Sequence, residues 1–188
     1  MFDFDVNNEK LIKRLLFLHT NGFILRSVLQ SYPIFFSTHE KPCPMPHLNV
    51  LLVDDDSEES YLFNEALEHA HLNINLTRAT DGNDLMAYLI NNPTPDLVFM
   101  DLNMPHKDGL EALTEIRNNP KFKNLPLIIY STTKNEGSIN ACYENGADMF
   151  VIKPDDFDEL MQVVKKVCTY DWKNYSRPAR QNFVITAE

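Results

Sequence analysis

The sequence predicts a doubly wound α/β domain with a parallel sheet, and three observations carry that reading. Strand-like and helix-like segments alternate five times between residues 47 and 169. Four of the strand segments, NVLLV (49–53), LVFM (97–100), LIIY (127–130) and MFVI (149–152), are continuous apolar runs of the kind a parallel sheet buries on both faces. Each of the four runs directly into polar groups: Asp54, Asp55 and Asp56; Asp101; Ser131; Lys153 followed by Pro154. Strands joined by βα crossovers all point the same way, so these groups should meet at one sheet edge, where such folds place their chemistry.

The elements follow in order after KPCPMPH (41–47), whose prolines forbid helix and mark an extended boundary. The segment 57–71 carries Leu62, Phe63, Ala66, Leu67 and Ala70 at helical spacing, with Ser57 and the preceding Asp56 as its candidate N-caps. INLTRA (74–79) alternates apolar and polar residues, as a half-exposed edge strand does. Helices are expected at 83–91, 109–118, 135–145 and 155–169. The fourth is expected to be short and loosely held, with Gly137 near its start and Gly146 at C′. The fifth is the best formed. Asp155, Asp156, Asp158 and Glu159 oppose the positive end of its dipole, Lys165 and Lys166 the negative end, and Phe157, Leu160, Met161, Val164 and Cys168 make its inward stripe.

Composition narrows the function. The apolar fraction of 44% is ordinary for a protein with a packed core. Of the formal charge of -10, residues 1–44 contribute nothing negative, with five basic and four acidic side chains, so the acidity belongs to the α/β domain and duplex nucleic acid is not expected as a partner. The stretch 15–36 is interrupted by His19, Asn21, Arg26 and Gln30 and is too polar to span a bilayer, and the acidic MFDFDVNNE start is unlike a secretory signal. Cys43, Cys142 and Cys168 lack disulfide-framework or zinc-site spacing, so a reducing cytoplasm is expected. The six histidines show no ligand spacing and read as structural or surface residues.

Crowded carboxylates at a strand edge repel one another and resist desolvation unless a cation neutralises them. Mg²⁺ suits such a cluster because it takes one or two carboxylates and keeps waters or phosphate oxygens in its other positions. Asp55 and Asp101 are expected as direct ligands, the backbone carbonyl of Asn103 as a third, and Asp54 as partner of a metal-bound water. Asp101 would then be a nucleophile toward a phosphoryl group, Lys153 would pair with the resulting charge, and the Ser131 hydroxyl would donate to a phosphoryl oxygen.

With VDDD (53–56), DLNMPHKDG (101–109), YST (130–132) and IKP (152–154) in this order, the chain resembles the receiver domain of two-component response regulators over residues 47–169. The resemblance implies a flavodoxin-like (βα)5 fold with strand order 2-1-3-4-5. It makes Asp101 the phosphoacceptor, Asp54 and Asp55 the acidic pair, Ser131 the switch hydroxyl, Lys153 the conserved-type lysine and Phe150 the switch aromatic, one without a hydroxyl. It also implies a cis Lys153–Pro154 bond, a histidine kinase or histidine phosphotransfer protein as donor, and a helix 4, strand 5, helix 5 face that binds a downstream protein or a second copy as a homodimer. Asn103 and Thr133 are expected to flank the path of the hydrolytic water and to tune phosphoryl lifetime. Self-phosphorylation from a phosphodonor and self-hydrolysis are then the only activities expected of this switch.

Two other functional classes fit these residues less well. An aspartate-based phosphatase or phosphotransferase usually carries a second Asp two residues after the first, where this chain has Asn103. A phosphorylation-independent protein-binding receiver would not need the acid pair, Ser131 and Lys153 together. Outside 47–169, residues 1–46 are an extension and Pro-rich linker. Either translation begins at Met45 or an amphipathic helix from Glu9 to Leu18 docks on the domain or a partner. The tail, 170–188, carries Trp172, Tyr175 and Phe183, is similar to tails of regulators paired with phytochrome-like kinases, and is expected to pack on helix 5 or on a dimer mate.

Overall fold

In the computed structural model, which describes residues 47–186, six parallel strands form one sheet in the order β2-β1-β3-β4-β5-β6. The strands are β1 Leu48–Val53, β2 Ile74–Ala79, β3 Leu97–Met100, β4 Leu127–Ser131, β5 Met149–Ile152 and β6 Val184–Ile185. The connecting helices are α1 Ser57–His69, α2 Gly82–Asn91, α3 Gly109–Asn118, α4 Glu136–Glu144 and α5 Phe157–Cys168. The expectations placed on residues 1–46 lie outside the described residues, and no helix among the described residues is long and apolar enough to cross a membrane.

The period-2 geometry of the strands sorts the core into two layers. Val50 and Leu52 of β1, with Leu97 and Phe99 of β3, face α1 and α5, where Phe63, Leu67, Val163 and Val164 fill the gap. Leu51 and Val53, with Val98 and Met100, face the opposite way onto Leu85, Leu89, Leu113 and Ile116 of α2 and α3. Each of these buried aliphatic and aromatic side chains contributes about 1.5–3 kcal/mol of transfer free energy. INLTRA is the sheet edge that its alternation predicts.

All five helices start on an Asp or Asn. Asp56, Asp81, Asp108, Asn135 and Asp156 each accept at least one first-turn backbone N–H. Of the two candidates before α1, Asp56 is the cap and Ser57 is corrected to the first helical residue. Asp56 caps α1 through Oδ1, to the N–H groups of Glu58 (2.7 Å) and Glu59 (3.2 Å), because an ionised carboxylate accepts two donors and also opposes the dipole. The same competition moves the start of α5 from 155 to Phe157 and makes Asn135 and Asn145 the flanks of α4. Gly146 takes φ +94 at C′ of α4, as its position predicts.

The sixth strand was not foreseen. Beyond α5, Trp172 Nε1 donates to Val167 O at 2.9 Å, so the tail first packs on α5 as expected. It then crosses to the far edge of β5, where Phe150 pairs with Val184 and Val151 with Ile185. MFVI therefore reads as a central strand because it is one. Tail residues also grip α4: Tyr143 Oη donates to Pro178 O, and Arg180 reaches Asn140 Oδ1 at 2.6 Å and Glu136 Oε2 at 2.8 Å. The expected loose helix is thus pinned, and the expected β5 docking edge is taken by the chain itself. No described peptide bond is cis, so the Lys153–Pro154 bond is trans. Trans is favoured by about 0.5–1 kcal/mol, and Lys153 reaches its partners without the cis isomer.

Candidate functional site

Parallel register brings the four strand ends together. Asp54 N donates to Ala79 O (3.0 Å), Asp101 N to Val53 O (2.9 Å) and Lys153 N to Ser131 O (3.0 Å), so each polar residue sits one step beyond a neighbouring strand. At their centre is the Lys153 ammonium. Nζ lies 2.8 Å from Asp54 Oδ2, 3.0 Å from Asp101 Oδ2 and in contact with Glu59 Oε2, over the face of Tyr130. Asp101 Oδ1 accepts from the N–H groups of Leu102 (2.6 Å) and Asn103 (3.3 Å).

The charges do not balance within this cluster. Burial raises the Asp54 carboxyl above its ordinary range despite the nearby lysine. Burial also works against the Lys153 charge, but hydrogen bonds to Asp54 and Glu59 and the neighbouring carboxylates hold its pKa above that of an ordinary lysine. Asp54 is raised chiefly by its burial and Lys153 by its carboxylate neighbours, and with three carboxylates around one ammonium the cluster carries a surplus of negative charge. Asp55 is exposed at the rim. Among the described residues, no three acidic, His or Cys side chains form a complete metal cage. The donor set of Asp54, Asp55, Asp101 and the Asn103 carbonyl nevertheless fits an oxygen-preferring dication that retains waters, because such a cation would relieve the surplus.

Ser131 is fully buried, and its Oγ has no hydrogen-bond partner among the described residues. Burying an unpaired hydroxyl costs about 1–3 kcal/mol, so this group is set to gain a partner. Asn103 and Thr133 line one cavity of about 460 Å³ beside the Asp101 loop, and Thr133 Oγ1 also accepts from Asn135 N at 3.3 Å. Phe150 is fully buried, with Phe183 of the tail 6.2 Å away, ring centre to ring centre.

Three further residues complete the site. Arg78 of β2 donates to the backbone carbonyls of Asp54 (3.0 Å) and Asp55 (3.0 Å), bracing the acidic pair. Gly109 lets the loop fold back on the central aspartate: a Cβ there would lie 2.2 Å from Asp101 O. Glu59 reaches Lys153 from the first turn of α1. Its acidic first-turn position reads in sequence only as a favourable match to the helix dipole.

A doubly wound sheet whose strand-end aspartate is flanked by an acidic pair, an unpartnered serine and a charged lysine defines an aspartate-centred switch module. Residues 50–165 match the response regulator receiver domain, and the chain belongs to that family. It is 32% identical to response regulator Rcp1 of Synechocystis sp. over 69% of this chain and 92% of that one. Among solved structures, the Mn²⁺-bound form of Rcp1 superposes with a TM-score of 0.61 at 32% identity, covering 70% of this chain and 99% of that chain. The phosphorylated cyanobacterial phytochrome response regulator RcpA gives 0.63 at 31% identity, covering 71% and 100%.

Proposed function

We propose that this receiver takes a phosphoryl group onto Asp101 from a histidine kinase or histidine phosphotransfer protein and works as a stand-alone regulator. The observation that carries the assignment is the Lys153 ammonium held between Asp54 and Asp101, with the buried Ser131 hydroxyl lacking a partner on the adjacent strand. Near end-to-end coverage of regulators the length of a receiver supports the stand-alone reading.

In the transfer, an Asp101 carboxylate oxygen attacks phosphorus, the phosphorus–nitrogen bond of the donor phosphohistidine breaks, and the departing imidazole carries its electron pair away. The product is an acyl phosphate. Lys153 pairs with its new charge and Ser131 Oγ gains the acceptor it lacks. Asp54, Asp55, Asp101 and the Asn103 carbonyl would hold Mg²⁺, which supplies charge neutralisation for the phosphoryl oxygens. In hydrolysis, a water on the side of Asn103 and Thr133 attacks phosphorus, the bond from phosphorus to the Asp101 oxygen breaks, and inorganic phosphate leaves with the carboxylate restored. Asn103 orients that water.

Movement of Ser131 toward the phosphoryl group would reach Phe150 through the β4–β5 pairing, and from Phe150 the tail. The surface offered to a partner or a second copy is therefore α4 together with the tail, in place of a bare β5 edge. Unpaired Cys142 and Cys168 are in keeping with action in a reducing cytoplasm. The assignment is tested by intact mass after incubation with acetyl phosphate and Mg²⁺. A labile gain of about 80 Da in the wild type but not in Asp101→Asn is expected. No gain in either protein would favour a phosphorylation-independent binding module.

A further inference from the structure

An ammonium has three N–H donors, and those of Lys153 face three carboxylates: Asp54, Asp101 and Glu59. A phosphoryl oxygen arriving on Asp101 can be met by Lys153 only if one of these partners gives way. The three are not equally held. The Asp54 side chain is 1% exposed and also accepts from Asp56 N at 2.9 Å, while Asp101 is fixed by the backbone N–H groups of Leu102 and Asn103. The Glu59 side chain is 39% exposed, and Lys153 is its one hydrogen-bond partner among the described residues. Turning it outward returns a carboxylate to water at little cost, whereas moving either aspartate would strip a buried charge of its partners.

We propose that Glu59 is a positioning residue that occupies the third N–H of Lys153 in the unphosphorylated protein and yields it to the phosphoryl oxygen. The inference rests on Asp101 as acceptor. Glu59 thereby opposes phosphorylation: an incoming phosphodonor displaces an ion pair and meets an additional negative charge at the mouth of the site. The ion pair also ties the first turn of α1 to the end of β5, so phosphorylation frees the Glu59 side chain on α1. Its carboxylate acts on the lysine and is not part of the metal's donor set.

Wild type, Glu59→Gln and Glu59→Asp are compared by three readouts, with Asp101→Asn as control. Beryllofluoride affinity by calorimetry reports phosphoryl accommodation without chemistry, the rate of acyl phosphate formation from acetyl phosphate reports transfer, and Mg²⁺ titration reports metal binding. For an ion pair of this exposure, Glu59→Gln should tighten beryllofluoride binding and speed transfer by about threefold to fivefold. Glu59→Asp, which keeps the charge but is one methylene too short for the contact, should move both in the same direction. Mg²⁺ affinity should change by less than about twofold, since the lost charge is half-exposed. Unchanged or weakened beryllofluoride binding in both variants overturns the proposal. So does a Mg²⁺ affinity lowered by about tenfold or more, which would make Glu59 a metal residue. Absence of labelling in the wild type would instead overturn the acceptor assignment itself.

Discussion

Phe150 lies on β5 and Lys153 three residues on, just past its end, yet they belong to regions built on opposite principles. At the strand-end site, polar groups are buried with too few partners: one ammonium serves three carboxylates and the Ser131 hydroxyl has no acceptor. On the β5 flank no buried side-chain polar atom among the described residues lacks a partner. Phe183 is fully buried against Phe150 and Tyr143, Phe150 N donates to Phe183 O at 2.9 Å, and Tyr175 Oη donates to Asp148 O at 2.6 Å. The site carries unfavourable terms that a phosphoryl group and a cation can relieve, while the flank supplies packing that holds the strand carrying it. Substitutions should therefore change stability in opposite directions in the two regions.

The largest effect is expected on the flank. Phe183→Ala should lower unfolding stability by about 3 kcal/mol, read from the urea midpoint at unchanged slope. A loss below about 0.5 kcal/mol, within the range of ordinary surface substitutions, would show that the tail is not part of the core.

A smaller effect of opposite sign is expected at the site. Asp54→Asn should stabilise the metal-free protein by about 1 kcal/mol at neutral pH while impairing phosphorylation. The sign follows from linkage. Burial raises the folded-state pKa of Asp54 above its ordinary 3.8, so between these values the folded state binds more protons than the unfolded one. Wild-type stability from this group falls as pH rises through that window. The advantage of Asp54→Asn should consequently be absent in acid and open toward neutrality. An advantage independent of pH would show that the surplus charge is not its source.

The smallest expected effect is no reaction at all. Burial pushes the Cys142 thiol up to about 11 and the Cys168 thiol up to about 12. In a Cys43→Ser background, neither should react with a water-soluble thiol reagent at neutral pH until the protein unfolds. Fast labelling of Cys168 alone would show that the tail end of α5 opens far more readily than the packing of Trp172 against it indicates.

What the sequence determined by itself was the sheet, its crossovers and the chemistry at its strand ends. Four continuous apolar runs ending in Asp, Ser or Lys leave little choice, because buried parallel strands must point the same way and a polar residue at such a position is too costly to be incidental. Asp54, Asp101, Ser131 and Lys153 were legible for that reason. Helix starts were legible to within two residues, with the competition between adjacent Asp and Ser caps settled by the stronger acceptor. Tertiary structure alone decided the contacts of long reach. Val184 and Ile185 are too few to show a strand period, and only the open edge of β5 makes them one. Arg78 and Glu59 sit on elements whose polar faces look solvated in sequence, and become part of the site only when β2 lies beside β1 and α1 turns its first residues toward β5. Local pattern specifies which groups are buried. Which partner a long flexible side chain finds depends on the three-dimensional neighbourhood of its tip.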